Sequence, residues 1–371
     1  MKPQKSSAAL LFAIAAALTL AACSGSSSNS DSDYEYPVVQ ELRDLGYGEY
    51  LGAQTPSRVE TDGEWTHRYF DPEEEGAVCF SGNPFQISYR DGPSDNLLLY
   101  LQGGGACWDY LTCYVLGTAF DSSNAAVQSG IIEITNEDNP FKDWDIVYVP
   151  YCDGSVFIGD RIVDYGGERT FHHGLRNLSV GVDAMLDNFP NPDRIVVAGS
   201  SAGGYGTYSG YGVSRVAYPG TPITRFNDSG PGVQNPDATQ DVQDRIENWD
   251  FARLIPDSCT ECDTQYSYIT LWAMERDKDL RTALYSYQQD GVISFFLAMS
   301  GDDYQQLLLD TTDDLQARAD GRYQRFMPQG GGHTVLLSAE FYDQEVDGVK
   351  IREWTEAFLA DSAGWTDIVE D

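Results

Sequence analysis

Arg194–Gly204, RIVVAGSSAGG, constrains the chain more than any other stretch. The apolar run Ile195–Ala198 is too short for a helix and suits a strand buried on both faces, and it passes directly into a turn of small residues. That turn reads Gly199-x-Ser201-x-Gly203. A serine on a sharp strand-to-helix turn takes a strained backbone and lifts its hydroxyl clear of the sheet, while glycines on either side let strand and helix approach. The pattern also occurs in loops rich in Gly and Ser, and Gly makes up 36 of the 371 residues. Context separates the two readings. A clear strand precedes the turn, and Tyr205–Val216 continues as a helix in spite of Gly206, Gly210 and Gly212. The reading is a nucleophile elbow with Ser201 at its tip.

Short apolar runs that empty into Gly-rich loops recur along the chain. Leu97–Leu101 is followed by Gln102-Gly103-Gly104-Gly105-Ala106-Cys107-Trp108, where three glycines leave backbone N–H groups unshielded by any Cβ. Such a loop, together with the residue after a nucleophile, can hold a developing oxyanion. Asp145–Pro150, Ile223–Phe226, Thr282–Tyr287 and Arg322–Met327 read as further strands. His172–Phe189, Asp241–Phe251, Tyr266–Asp279, Val292–Met299, Tyr304–Ala319 and Ile351–Ala360 read as helices. This alternation predicts a parallel sheet with helices on its faces. Tyr34–Gly76 lacks a sustained period and reads as an extension packed on the outside. No linker or repeat divides the chain after residue 34, so residues 34–371 are expected to form one domain.

A serine hydroxyl needs a base to attack at neutral pH, and the usual base is a histidine oriented by a carboxylate. Of the four histidines, His67, His172 and His173 precede the elbow, and His333 alone follows it, in the Gly-rich loop after the last strand. In α/β-hydrolases the order is Ser, acid, His, which selects His333. Asp290 follows the strand Thr282–Tyr287 and precedes Gly291 and a helix, the expected place for the acid. Asp228 also ends a strand, but Asp228-Ser229-Gly230-Pro231-Gly232 reads as a structural turn. Asp302 and Asp303 read as charges at the start of a helix.

The N-terminus carries an export signal: Lys2 and Lys5, then the apolar run Ala8–Leu20, too short to span a bilayer. It ends in Leu20-Ala21-Ala22-Cys23, the pattern of bacterial lipoproteins, so residues 1–22 read as a signal peptide, Cys23 as the lipidated residue, and residues 23–33 as a Ser-rich tether. The expected location is outside the cytoplasm, on a membrane of the bacterial envelope. With 58 acidic and 23 basic residues the net charge is −35, which disfavours nucleic acid and anionic lipid as partners and suits a saline habitat. Six cysteines remain after Cys23, and an exported chain is expected to pair them, with fifteen connectivities open. Cys259-x-x-Cys262 lacks a second pair at metal spacing and reads as a local disulfide.

Taken together, GGGACWD with a second cysteine six residues on, YCDGSVFIGD at 151–160, GSSAGG at 199–204 and the GGGHT ending at Thr334 resemble the pectin acetylesterase family, which includes the plant enzymes and animal Notum. The resemblance runs from Cys79 to His333. It implies an α/β-hydrolase fold, with a mostly parallel central sheet, helices on both faces and loop and helix insertions. It also implies a Ser201–Asp290–His333 triad, backbone oxyanion donors at Gly104, Gly105 and Ala202, and disulfides Cys107–Cys113 and Cys79–Cys152. Two places depart from the family pattern: Ala106 stands where the family carries Trp, and Gln289-Asp290-Gly291-Val292 matches the acid segment loosely. The expected activity is hydrolysis of a short O-acyl ester, first of all acetate on a carbohydrate, with no metal or organic cofactor. A glycan-binding lipoprotein on a hydrolase scaffold and an acyltransferase are the competing readings.

Overall fold

The computed structural model describes residues 36–371, apart from the side chains of Thr239 and Asp241. The signal segment, the tether and Cys23 lie outside the described residues. The apolar runs read from the sequence line up side by side in one ten-stranded sheet. Its order is Arg58–Asp62, Trp65–Phe70, Phe85–Arg90, Trp144–Val149, Ser94–Leu101, Arg194–Ser200, Ile223–Asp228, Thr282–Tyr285, Tyr323–Met327 and Ile368–Val369. The first three strands pair antiparallel, and from Trp144–Val149 onward every pairing is parallel. With helices on both faces this is the α/β-hydrolase architecture.

Period-2 alternation divides the buried strands between two cores. Leu97, Leu99, Leu101, Val147, Val149, Ile195 and Val197 face one side, where they meet Leu175, Leu178, Val182 and Met185 of the helix Gly174–Asn188. Leu98, Tyr100, Ile146, Tyr148, Val196 and Ala198 face the other, against Ile351, Trp354 and Phe358 of the helix Ile351–Leu359. Gly206 and Gly210 turn from apparent helix breakers into a packing surface. A Cβ at either would lie 3.1 Å from Leu101 Cδ1, so their bareness lets the helix Ala202–Ala217 lie close on the sheet.

The stretch 34–76 departs from the expectation of an outer extension. Val38, Val39, Leu42 and Tyr47 are fully or almost fully buried, and Arg58–Asp62 with Trp65–Phe70 extends the sheet at its antiparallel edge. Arg58–Asp62 is exposed along its whole length and so carries no alternation, while the buried helix Val38–Asp44 is only seven residues long. Strand and helix ends elsewhere fall within a few residues of their expected positions. One exception is His172, which ends the strand Glu168–His172, with His173 in the position just before the following helix.

The six cysteines among the described residues pair as Cys79–Cys152, Cys107–Cys113 and Cys259–Cys262. Three disulfides suit a domain that folds outside the reducing cytoplasm. No helix among the described residues is long and apolar enough to cross a membrane.

Trp354 is fully buried and its ring contacts those of Phe226, Phe326 and Trp365. Trp354→Ala is expected to cost about 3–5 kcal/mol, read as a lower midpoint in thermal or denaturant unfolding.

Candidate active site

The parallel strands deliver their loops to one edge of the sheet. Ser201 follows the strand Arg194–Ser200 and precedes the helix Ala202–Ala217, with φ 57° and ψ −119°. This is a strained, left-handed backbone for a residue with a Cβ. Glycines make room for it: a Cβ on Gly203 would lie 1.9 Å from the Leu101 carbonyl oxygen, and one on Gly199 would lie 2.3 Å from that of Gly203. The Ser201 N–H donates to the Asp228 carbonyl at 2.7 Å, which pins the turn to the next strand.

Asp290 is fully buried, and its two carboxylate oxygens have separate tasks. Oδ1 accepts the N–H groups of Val292 and Ile293, both at 3.0 Å, and so caps the helix Gly291–Phe296. Oδ2 accepts from His333 Nδ1 at 2.7 Å, which leaves Nε2 as the ring's other nitrogen. The two loops are also joined through their main chains. Gln288 N–H donates to Pro328, Gln289 to Gly330 and Gly291 to Gly331, at 3.0, 3.0 and 3.2 Å. His333 is therefore held by its neighbour's backbone as well as by its carboxylate.

Ser201 and His333 line one open cleft of about 440 Å³, together with Gly103, Gly104, Gly105, Phe120 and Val292. Among the described residues no hydrogen bond joins the hydroxyl to the ring, and catalytic hydrogen bonds of this kind commonly tighten only in the substrate complex. Gly105 has φ +83°, and a Cβ there would strike the Thr118 carbonyl oxygen at 1.8 Å. The neighbouring Phe120 N–H donates to the Gly104 carbonyl and Ala106 N–H to that of Thr118, while no hydrogen bond among the described residues uses the N–H of Gly104, Gly105 or Ala202. Beside Ser201 a second, apolar pocket of about 70 Å³ is walled by Ala106, Trp108, Val156, Trp249 and Leu297. Ala106 thus stands in the wall of that pocket.

The remaining histidines are occupied elsewhere. His67 Nδ1 pairs with Ser88 Oγ at 2.8 Å, His172 lies between the Asp153 carbonyl and the Tyr165 hydroxyl, and His173 meets the Gly76 carbonyl. Burial lowers His172 and His173 to about 4, so both rings are neutral at pH 7. Asp228, the other carboxylate at a strand end, does not reach His333 Nδ1. It bonds Ser200 Oγ and the N–H groups of Val335 and Leu336. That role was hidden in the sequence, because its partners lie 107 and 108 residues away. No group of three or more His, Cys, Asp or Glu side chains suited to a metal occurs among the described residues.

Comparison with known proteins gives a match to the family model Pectinacetylesterase over residues 66–285. The chain is 30% identical to Pectin acetylesterase 11 of Arabidopsis thaliana over 138 residues, 34% of this chain and 35% of that protein. It is 32% identical to Palmitoleoyl-protein carboxylesterase NOTUM of Schmidtea mediterranea over 123 residues, 30% of this chain and 23% of that protein. With the Homo sapiens protein of the same name it shares 28% over 175 residues, 43% and 35% of the two chains. The aligned stretches thus span well under two thirds of each relative. The model match takes in Gly104, Gly105, Ser201 and Ala202 and ends before Asp290 and His333, so for those two the geometry is the support.

Gly203→Ala is expected to lower stability by about 1–3 kcal/mol or more, because its Cβ meets main chain that cannot move aside. Gly301→Ala, whose Cβ would make an ordinary contact at 3.6 Å with Gln289, is the control and should melt like the parent.

Proposed function

The chain belongs to the pectinacetylesterase family, and from that premise we propose that it is an extracytoplasmic serine esterase acting through Ser201, His333 and Asp290. The observation that carries the reading is the pair His333 Nδ1 to Asp290 Oδ2, 2.7 Å, with His333 lining the same cleft as Ser201. Asp290 holds the tautomer with Nε2 available, and Nε2 takes the Ser201 proton as Oγ attacks the ester carbonyl. The carbonyl oxygen gains charge and receives the N–H of Ala202 and of the Gly104–Gly105 loop, each such donor being worth about 3 kcal/mol. The protonated imidazole then gives its proton to the departing alcohol. Water, activated by the same ring, releases the acid from the acyl-enzyme.

The substrate we propose is a short O-acyl ester, first of all acetate on a carbohydrate, with the acyl group in the apolar pocket of about 70 Å³ beside Ser201. One observation favours a longer acyl chain as a second reading. A further apolar pocket of about 80 Å³ shares Val156, Tyr205, Arg245, Trp249 and Leu297 with the first. We further propose that lipidated Cys23 tethers the domain to a membrane of the envelope, with 1–22 removed.

On p-nitrophenyl acetate, Ser201→Ala is expected to lose activity by about a thousandfold or more, and Asp290→Asn by about 10³–10⁴-fold in kcat through the wrong tautomer, with both variants folded. A series of p-nitrophenyl esters from acetate to palmitate should show kcat/KM falling with chain length. A rise towards the longer esters would support the second reading. A parent inert towards all of them, yet retained on an acetylated glycan column, would support a binding protein instead.

A further inference from the structure

Asp228 takes no part in the reaction as described, yet it touches both segments that the reaction must bring together. It ends the strand Ile223–Asp228, and its carboxylate is fully buried. Oδ2 accepts from Ser200 Oγ at 2.5 Å, from Val335 N–H at 3.0 Å and from Leu336 N–H at 2.9 Å, and Oδ1 accepts from Val335 N–H at 3.1 Å. Its main-chain carbonyl receives the N–H of Ser201 itself. Ser200 Oγ also pairs with the Tyr100 hydroxyl at 2.6 Å, and Ser229 Oγ receives the Thr334 N–H at 3.2 Å. One residue therefore grips the residue before the nucleophile, the nucleophile's own backbone and the two residues that follow Thr334.

We propose that Asp228 is a positioning residue for the esterase reaction, a clamp that ties the Ser201 turn to the His333 loop and so sets where the imidazole stands relative to the hydroxyl. The proposal rests on the reading of Ser201 and His333 given above. The acid loop holds the His333 loop from one side, through the main-chain bonds of Gln288, Gln289 and Gly291, and Asp228 holds it from the other. With one side released the loop can pivot, and misplacement of a reacting group by about 1 Å can cost on the order of 100-fold.

The clamp needs the carboxylate ionised, because a protonated carboxyl would present a donor to a ring of donors. Burial pushes Asp228 up to about 6, against the Ser200 hydroxyl, the Leu336 and Val335 N–H groups and His333, which favour the charged form. The other titratable groups that face it are Tyr100 on Ser94–Leu101 and Tyr285 on Thr282–Tyr285, both kept neutral by burial. The clamp therefore loosens as pH falls through the region near 6.

The test is the pH dependence of p-nitrophenyl acetate hydrolysis by the full chain and two variants. Asp228→Asn keeps the shape but cannot titrate and turns an amide towards Val335 N–H. It is expected to lower kcat about 100-fold with KM within twofold, and to move the acid limb to lower pH. Ser200→Ala leaves the charge but removes one donor that favours it, so the limb should move to higher pH. Opposite shifts support the clamp. Unchanged limbs in both variants overturn it even if kcat falls, since a mere prop would do that, and limbs that move together overturn it too. Should Asp228→Asn fail to fold, the direction seen in Ser200→Ala decides alone. An active parent with indifferent variants strikes the proposal only, whereas an inert parent strikes the Ser201 reading and the proposal with it.

Discussion

Main chain packed against main chain, Gly203 over the Leu101 carbonyl, is the constraint on which the site depends. That contact leaves no volume for a methyl group, and it draws the start of the helix Ala202–Ala217 down onto the strand Ser94–Leu101. Ser201 is then forced to φ 57°, and the loop Gly103–Gly105 that follows the same strand lands beside it. The proposed nucleophile and the proposed oxyanion donors are thus set by one close approach, whose strain the surrounding sheet absorbs.

A second constraint acts at the neighbouring loops. Asp290 places a fully buried carboxyl group in the interior, where an unpaired polar group is costly. Two helix-capping N–H groups and the His333 ring supply its partners, so the residue that would serve catalysis is also the one that ends a turn of backbone correctly. Structure and chemistry converge on the same atoms, and the main-chain bonds between the two loops add to the hold on the pair.

Legibility in the sequence followed the range of the interactions. Ser201 and its glycines are contiguous, so strand, turn and helix could be read from eleven residues. His333 emerged by elimination and by its loop, and Asp290 by its place after a strand and before a helix. What joins these two loops, the bonds from Gln288, Gln289 and Gly291 to Pro328, Gly330 and Gly331, is long-range and left no local trace. Asp228 reads as part of a Gly- and Pro-rich turn for the same reason, since its acceptor role is defined by Val335 and Leu336. At the antiparallel edge only Arg58–Asp62 is illegible on physical grounds, since it buries nothing and burial is what writes alternation into a strand, whereas Trp65–Phe70 buries Trp65, His67 and Phe70.

Membership of the pectinacetylesterase family and the geometry of the cleft meet at a single atom, Ser201 Oγ. The most direct measurement is to react the intact protein with a fluorophosphonate and map the adduct by peptide mass spectrometry. One adduct per chain is expected, on Ser201. A protein that hydrolyses esters yet carries the adduct on another residue, or carries none, would contradict it.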